Sequence, residues 1–234
     1  MNLNRDLLLR LKFISMLSAC SSRATQKEVS NAIGISRTTA SKYINGAFLP
    51  STKRAAELSE EISQMCSLEQ LLKDALNSGV LPYPEALNAT ARNFSLVMWA
   101  SLELAERVKE LEFEKILTVE GGGAVVGSII ASLTNVELVY GLRNVYVEEG
   151  FVEKLSKGAS KYSSFMAVPK GALAKGERLL IVDDVMFTGR TVSALENTAE
   201  GARCRVEGIA VLATRGSTGL RKFKDRKLFY LVSL

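Results

Sequence analysis

Two adjacent carboxylates and two threonine hydroxyls lie within nine residues of one another in the run LLIVDDVMFTGRT, residues 179–191. The apolar LLIV reads as a strand, so Asp183 and Asp184 stand where that strand leaves the core. A Thr-Gly-x-Thr loop follows at the start of a helix. Backbone amides at a helix N-terminus, joined by the hydroxyls of Thr188 and Thr191, can cradle a phosphate monoester, because orphan N–H groups and the helix dipole both favour an anion. Gly189 lets the backbone come close. Carboxylates just before such a loop can accept hydrogen bonds from vicinal ribose hydroxyls, or hold a Mg²⁺ through its waters. The chemistry that suits all of these groups is recognition of a sugar phosphate; the blander account, carboxylates that cap and glycines that turn, uses the same residues.

The elements around the run place it. Strand patterns at Lys115–Val119, Val136–Leu142, Leu179–Val182, Gly208–Ala213 and Leu228–Val232 alternate with helical patterns, among them Glu85–Leu111 with the single Trp99, a helix through Ala131, and Thr191–Ala202. Such alternation predicts an α/β fold with a doubly wound, mostly parallel sheet. Ligands then bind at the carboxyl ends of the strands. A second glycine-bearing loop, Glu120-Gly121-Gly122-Gly123-Ala124, falls at such an end, as does Arg143.

The 179–191 run resembles the phosphoribosyl-pyrophosphate (PRPP) motif of type I phosphoribosyltransferases, and the resemblance extends over roughly residues 85–234. It implies that Asp183 and Asp184 face ribose hydroxyls while Thr188, Gly189, Arg190 and Thr191 hold the 5′-phosphate. The Glu120–Ala124 loop resembles the family's pyrophosphate loop, with Arg143 at its basic position. Mg²⁺ is implied only together with bound PRPP, through Asp183 and Asp184; no direct metal site is expected. Two positions depart from the pattern: Phe187, where a small or polar residue is usual, and Asn144, where a second basic residue often follows Arg143. Residues 144–164 are expected to be the mobile loop that closes over the site in the enzymes. Its Lys154, Lys157 and Lys161 could neutralise pyrophosphate or form a solvated charge run. No catalytic residue and no base-recognition segment is evident.

The other end of the chain differs in charge. Residues 1–54 hold nine basic residues against two acidic ones, a net of +7, in a chain with 30 Lys and Arg and 25 Asp and Glu. That asymmetry suits a module that meets a polyanion, or else a solvated basic face. After a first helix near residues 7–18, Thr25 is a good N-cap for a helix at 26–33, Gly34 ends it, and Ser36 caps a helix at 37–45 before Gly46 and Pro50. The outward face carries Arg37, Thr38, Ser41, Lys42 and Asn45, placed to read a major groove, with Gln26 and Lys27 placed for phosphate. Val29, Ala32, Ile33, Ile35, Ala40 and Ile44 are the expected core. The stretch TQKEVSNAIGISRTTASKYINGAFLPS resembles the helix-turn-helix of phage repressor and Cro-like regulators over roughly residues 5–65, which implies DNA contact at Gln26, Arg37, Thr38 and Lys42. Thr52–Met65 reads as a fourth helix and Ser67 with Gln70 as the capping box of another that ends at Gly79. The domains are therefore placed at 1–66 and 67–234.

The three cysteines, Cys20, Cys66 and Cys204, form no Cys-x-x-Cys pair and the chain has no histidine, which excludes zinc fingers and histidine-based triads. Reduced, buried cysteines and a cytoplasmic location without a membrane span are expected. A DNA reader followed by a PRPP-type domain resembles archaeal regulators with an orotate-phosphoribosyltransferase-like domain and bacterial purine repressors of comparable plan. The resemblance implies a homodimeric transcription regulator that binds a double-stranded operator and senses PRPP or a nucleotide. The alternative is an active phosphoribosyltransferase, a glycosyltransferase of purine or pyrimidine bases, that also binds DNA.

Overall fold

The computed structural model describes residues 5–77, 93–145, 147–155 and 164–234. The chain divides into two compact units, residues 2–102 and 103–234. In the first, the helices are α1 (Arg5–Cys20), α2 (Gln26–Ala32), α3 (Arg37–Ile44), α4 (Thr52–Met65) and α5 (Leu68–Asn77), and α6 (Phe94–Arg107) begins there. The sequence boundary near residue 66 falls at the end of α4, whereas the compact unit also takes in α5 and the start of α6. The expected residues 78–93 of the capping-box helix and the Glu85–Leu111 helix lie, but for Asn93, outside the described residues.

Local chemistry fixes the ends of these helices. Thr25 and Glu28 form a full capping box at α2: the Thr25 hydroxyl accepts from the Glu28 N–H and the Glu28 carboxylate accepts from the Thr25 N–H at 2.7 Å. The Thr25 hydroxyl, which also donates to the Glu28 carboxylate at 2.8 Å, and after it the Thr25 N–H hold the Glu28 carboxyl below its ordinary value. Ser36 accepts from the Thr39 N–H at 3.0 Å to cap α3, and Ser51 accepts from the Arg54 N–H to cap α4. At Ser67 the structure keeps half of the expected box: its hydroxyl accepts from the Gln70 N–H, while the Gln70 amide turns to Asp74. Phe13, Met16 and Leu17 of α1 are buried with Val29, Ile33, Ala40, Leu58 and Ile62. Tyr43 joins them edge-on to Phe13, ring centroids 5.5 Å apart; of the expected core, Ala32 is exposed and Ile35 and Ile44 are half-buried.

The second unit is one seven-stranded sheet: β1 (Lys115–Val119), β2 (Glu137–Arg143), β3 (Gly150–Lys154), β4 (Phe165–Pro169), β5 (Arg178–Met186), β6 (Arg205–Thr214) and β7 (Leu228–Ser233), in the order β3-β4-β2-β1-β5-β6-β7. The run β2-β1-β5-β6-β7 is parallel, and β4 pairs antiparallel with both β2 and β3. The sheet is therefore mixed and mostly parallel. The β3–β4 pairing corrects the reading of residues 144–164 as loop: Gly150–Lys154 is a strand, and its short, half-polar sequence GFVEK carries little strand signal. Lys157 and Lys161 lie outside the described residues. Helices α7 (Gly122–Thr134) and α8 (Arg190–Gly201) cover the sheet, with Leu117, Leu179, Ile181, Val192, Leu195, Ile209 and Val211 in the core.

The cysteine expectation is also corrected. Cys20 and Cys66 are joined by a disulfide, and Cys204 alone is free. Sequence separation conceals the pairing, since the α1–α4 packing brings the two helix ends together.

Thr25→Ala removes the α2 cap and is expected to destabilise the first unit by about 1 kcal/mol. Thermal melting followed by circular dichroism should show its transition roughly 4–8 °C lower, with native helix content at low temperature.

Candidate ligand site and nucleic-acid interface

The carboxyl ends of β1, β2 and β5, neighbours in the sheet, gather the residues expected to meet a ligand. β5 runs on to Met186, so Asp183 and Asp184 sit inside the strand rather than beyond it. Both are buried, at 2% and 9% exposure. Asp183 Oδ1 accepts from the Asp184 N–H at 3.0 Å and Asp184 Oδ1 accepts from the Val185 N–H at 2.8 Å. One oxygen of each carboxyl is thus committed to the backbone, which sets its rotamer. Burial pushes the Asp183 carboxyl well above the ordinary value of 3.8, and the neighbouring Asp184 charge pushes it further. Burial raises Asp184 as well; Arg143 draws both slightly back down.

The glycine loop after β1 approaches this pair. A Cβ on Gly123 would lie 2.8 Å from Asp183 Oδ1 and 2.8 Å from Thr118 Oγ1, closer than side chains pack, so only glycine lets the first turn of α7 cross the end of β5. The Thr118 hydroxyl donates to the Val182 carbonyl at 2.8 Å, tying β1 to β5 beneath the carboxylates. Glu120 is fastened to β2: its carboxylate accepts from the Arg143 N–H at 2.9 Å and its carbonyl from Arg143 Nε at 3.0 Å. Asn144 has a physical reason to replace a basic residue. It takes φ +55°, which asparagine tolerates well, and its side-chain oxygen accepts from the Phe165 N–H to start β4.

The threonine loop follows β5. Gly189 is the N-cap of α8 at φ +71°, with no side-chain cap on the helix N–H groups. Thr188 and Arg190 are exposed and Thr191 is half-buried. A Cβ on Gly189 would run into the ring of Phe223, which follows the short helix α9 (Thr218–Lys222). Phe187 is 39% exposed, with the Arg215 guanidinium 5.1 Å from its ring centre. The Gly219 N–H donates to the Phe187 carbonyl at 3.2 Å. Arg215, α9 and Phe223 thus brace the loop from behind. Sequence reasoning missed them, because a five-residue helix and a lone phenylalanine carry no periodic signal.

No group of three or more His, Cys, Asp or Glu able to hold a metal ion occurs among the described residues. Two carboxylates are the donor type that Mg²⁺ takes, directly or through its waters.

In the first unit, Gln26, Lys27, Arg37, Thr38 and Lys42 are exposed and Ser41 is half-buried. Lys42 leans over the Phe48 ring at 5.9 Å. No helix among the described residues is long and apolar enough to cross a membrane.

The phosphoribosyl transferase domain model matches residues 95–232, and the chain belongs to that family. A helix-turn-helix model matches residues 25–62. The hypoxanthine/guanine phosphoribosyltransferase of Methanothrix thermoacetophila is 30% identical over 112 residues, 47% of this chain and 57% of that protein. The xanthine phosphoribosyltransferase of Clostridioides difficile is 31% identical over 121 residues, 49% of this chain and 62% of that protein. The match thus spans little more than half the length of these relatives. In fold, the chain is similar to adenine phosphoribosyltransferase from Thermoanaerobacter pseudethanolicus, at TM-score 0.57 and 20% identity, covering 63% of this chain and 86% of that one.

Asp183→Asn keeps the accepting oxygen and removes a buried charge. A carboxyl raised in the folded state weakens the fold as pH climbs from 3.8 through the raised value, and asparagine escapes that loss. The variant should melt higher than the parent at neutral pH and alike below about pH 3.5. Gly123→Ala should instead cost about 1–3 kcal/mol at either pH. Melting curves at the two pH values check both.

Proposed function

We propose that this chain is a DNA-binding transcription regulator whose phosphoribosyltransferase-like domain senses PRPP or a nucleotide. The observation that carries the reading is the presence in one chain of a helix-turn-helix with an exposed Arg37, Thr38 and Lys42 and of a phosphoribosyl transferase domain. Arg37, Thr38, Ser41 and Lys42 would face base edges, and Gln26 and Lys27 phosphates. The protein would act as a two-fold dimer on a pseudo-palindromic operator with half-sites about one helical turn apart.

At the ligand end, Asp183 and Asp184 would accept from ribose hydroxyls, Thr188 to Thr191 with the free N–H groups of α8 would hold the 5′-phosphate, and the 120–123 loop with Arg143 would meet a pyrophosphate. A Mg²⁺ carried in by the ligand would neutralise its phosphate charge beside the two carboxylates. Phe187 bears on turnover: a phenyl ring can neither take nor give a proton. The Arg143 backbone and Nε are occupied by Glu120, which leaves fewer donors for a leaving pyrophosphate. Both features favour binding without reaction. The competing reading, an active purine phosphoribosyltransferase, draws support from the names of the relatives it matches.

Calorimetric titration with PRPP and with nucleoside monophosphates, in Mg²⁺, should give saturable binding that Thr188→Ala weakens about 10- to 100-fold. A parallel assay with purine and pyrimidine bases should release no pyrophosphate; steady base-dependent release would establish the enzyme reading instead.

For DNA, Arg37→Ala should cost about 1–3 kcal/mol on a duplex selected from a random pool and relax base preference. Lys27→Ala should weaken all sequences alike and lower the salt slope by about one unit, as read by binding titrations at several salt concentrations.

A further inference from the structure

The helix-turn-helix lies inside a covalent loop. Cys20 is the last residue of α1, Cys66 is the C-cap of α4, and the disulfide between them closes a sequence separation of 46 that contains α2, α3 and every side chain proposed to meet DNA. Each cysteine also sits at a junction. The Cys20 carbonyl accepts from the N–H groups of Arg23 and Ala24, which builds the turn that delivers Thr25 to its capping position. Cys66 closes α4 through its N–H to the Ile62 carbonyl, and Ser67 next to it caps α5. The bond therefore ties the entry of the reading helices to the exit of the module.

Around the bond, two other ties differ in strength. The α1–α4 contact buries Phe13, Met16, Leu17, Leu58 and Ile62, enough to keep the helices packed when the sulfurs separate. Beyond Cys66, the Arg23–Asp74 pair joins the α1–α2 turn to α5, a solvated pair that holds weakly, while Leu72 anchors α5 in the core and Asn93 and Ser95 bond Ser22 and Ser18. Reduction would thus leave the module folded and remove only the covalent closure of the α2–α3 loop. The two sulfurs are also unequal: Cys20 is 1% exposed, whereas Cys66 is partly open to solvent at a helix end.

We propose that Cys20–Cys66 is a reversible thiol–disulfide exchange site, taking low-molecular-weight thiols and disulfides, whose closed form holds the reader ready for DNA. In opening, a thiolate attacks the Cys66 sulfur, a new sulfur–sulfur bond forms as the old one breaks, and Cys20 leaves as a thiolate that takes a proton. A second thiolate attacks the external sulfur of the mixed disulfide and releases Cys66. Two small thiols become one small disulfide while the protein gains two S–H groups, and closing is the reverse. Closing removes loop freedom before DNA arrives, so less ordering remains to be done on binding.

This inference rests on the proposed DNA-binding role, and the test separates the two. Full-length protein purified in air and alkylated after denaturation should show one reactive thiol, Cys204. After native incubation with reduced glutathione it should show three. The probe is the duplex selected from a random pool by the oxidised protein. Reduced protein should bind it about 5- to 30-fold more weakly. Its first-unit melting transition should fall by about 10 °C or more. Oxidised glutathione should restore both in the parent and in Cys204→Ser, but neither in Cys20→Ser nor Cys66→Ser. Because the reduced parent needs no substitution, the test survives a serine variant that does not fold. Three thiols in the air-purified protein, resistance to glutathione until the chain is denatured, or equal DNA binding by both forms would each overturn the proposal. Failure of the oxidised protein to select any duplex would instead remove the DNA-binding reading.

Discussion

Two carboxylates buried side by side within β5 are the costly feature on which the rest of the second unit depends. Charges in that position oppose folding, as the raised Asp183 and Asp184 carboxyls record. The surrounding sequence is arranged to tolerate them. Backbone N–H groups of Asp184 and Val185 bind one oxygen each, Thr118 ties β1 to β5 below, and the absent Cβ of Gly123 lets α7 close over them. A fold built only for stability would place apolar side chains here. Keeping ionisable groups at this cost makes sense where a polar ligand supplies the missing partners.

The second loop shows the same economy from the other direction. Gly189 opens α8 with uncapped N–H groups, and Phe223 packs where a side chain would otherwise project. Arg215 and α9 hold the outer side of the loop through Phe187. The loop's shape is thus enforced from the C-terminal segment, although the atoms proposed to hold the 5′-phosphate belong to residues 188–191.

Much of this was legible in the sequence, for physical reasons. LLIVDDVMFTGRT joins an apolar run to a loop chemistry found in few other settings, and Thr25, Gly34 and Ser36 mark helix ends by hydrogen-bonding rules that act over three or four residues. What stayed hidden depends on contacts distant in sequence. GFVEK becomes a strand only because β4 offers it a partner. Cys20 and Cys66 meet only because α1 and α4 pack together. The approach of Gly123 to Asp183, 60 residues away in the chain, needs the β1–β5 pairing to exist at all. The burial of Tyr43 is similar, since it packs against Phe13 on another helix.

In the proposed function, one chain couples a ligand's sugar phosphate to the reading of DNA. Such coupling is reciprocal: a ligand that prefers one arrangement of the protein must shift DNA affinity by the factor by which DNA shifts its own. The direct measurement is the affinity of the full-length protein for its selected duplex across a PRPP titration in Mg²⁺, repeated with Thr188→Ala. A saturable change of about 5- to 150-fold is expected in the parent, displaced to higher PRPP in the variant. Duplex affinity that stays flat while calorimetry shows PRPP bound would contradict it.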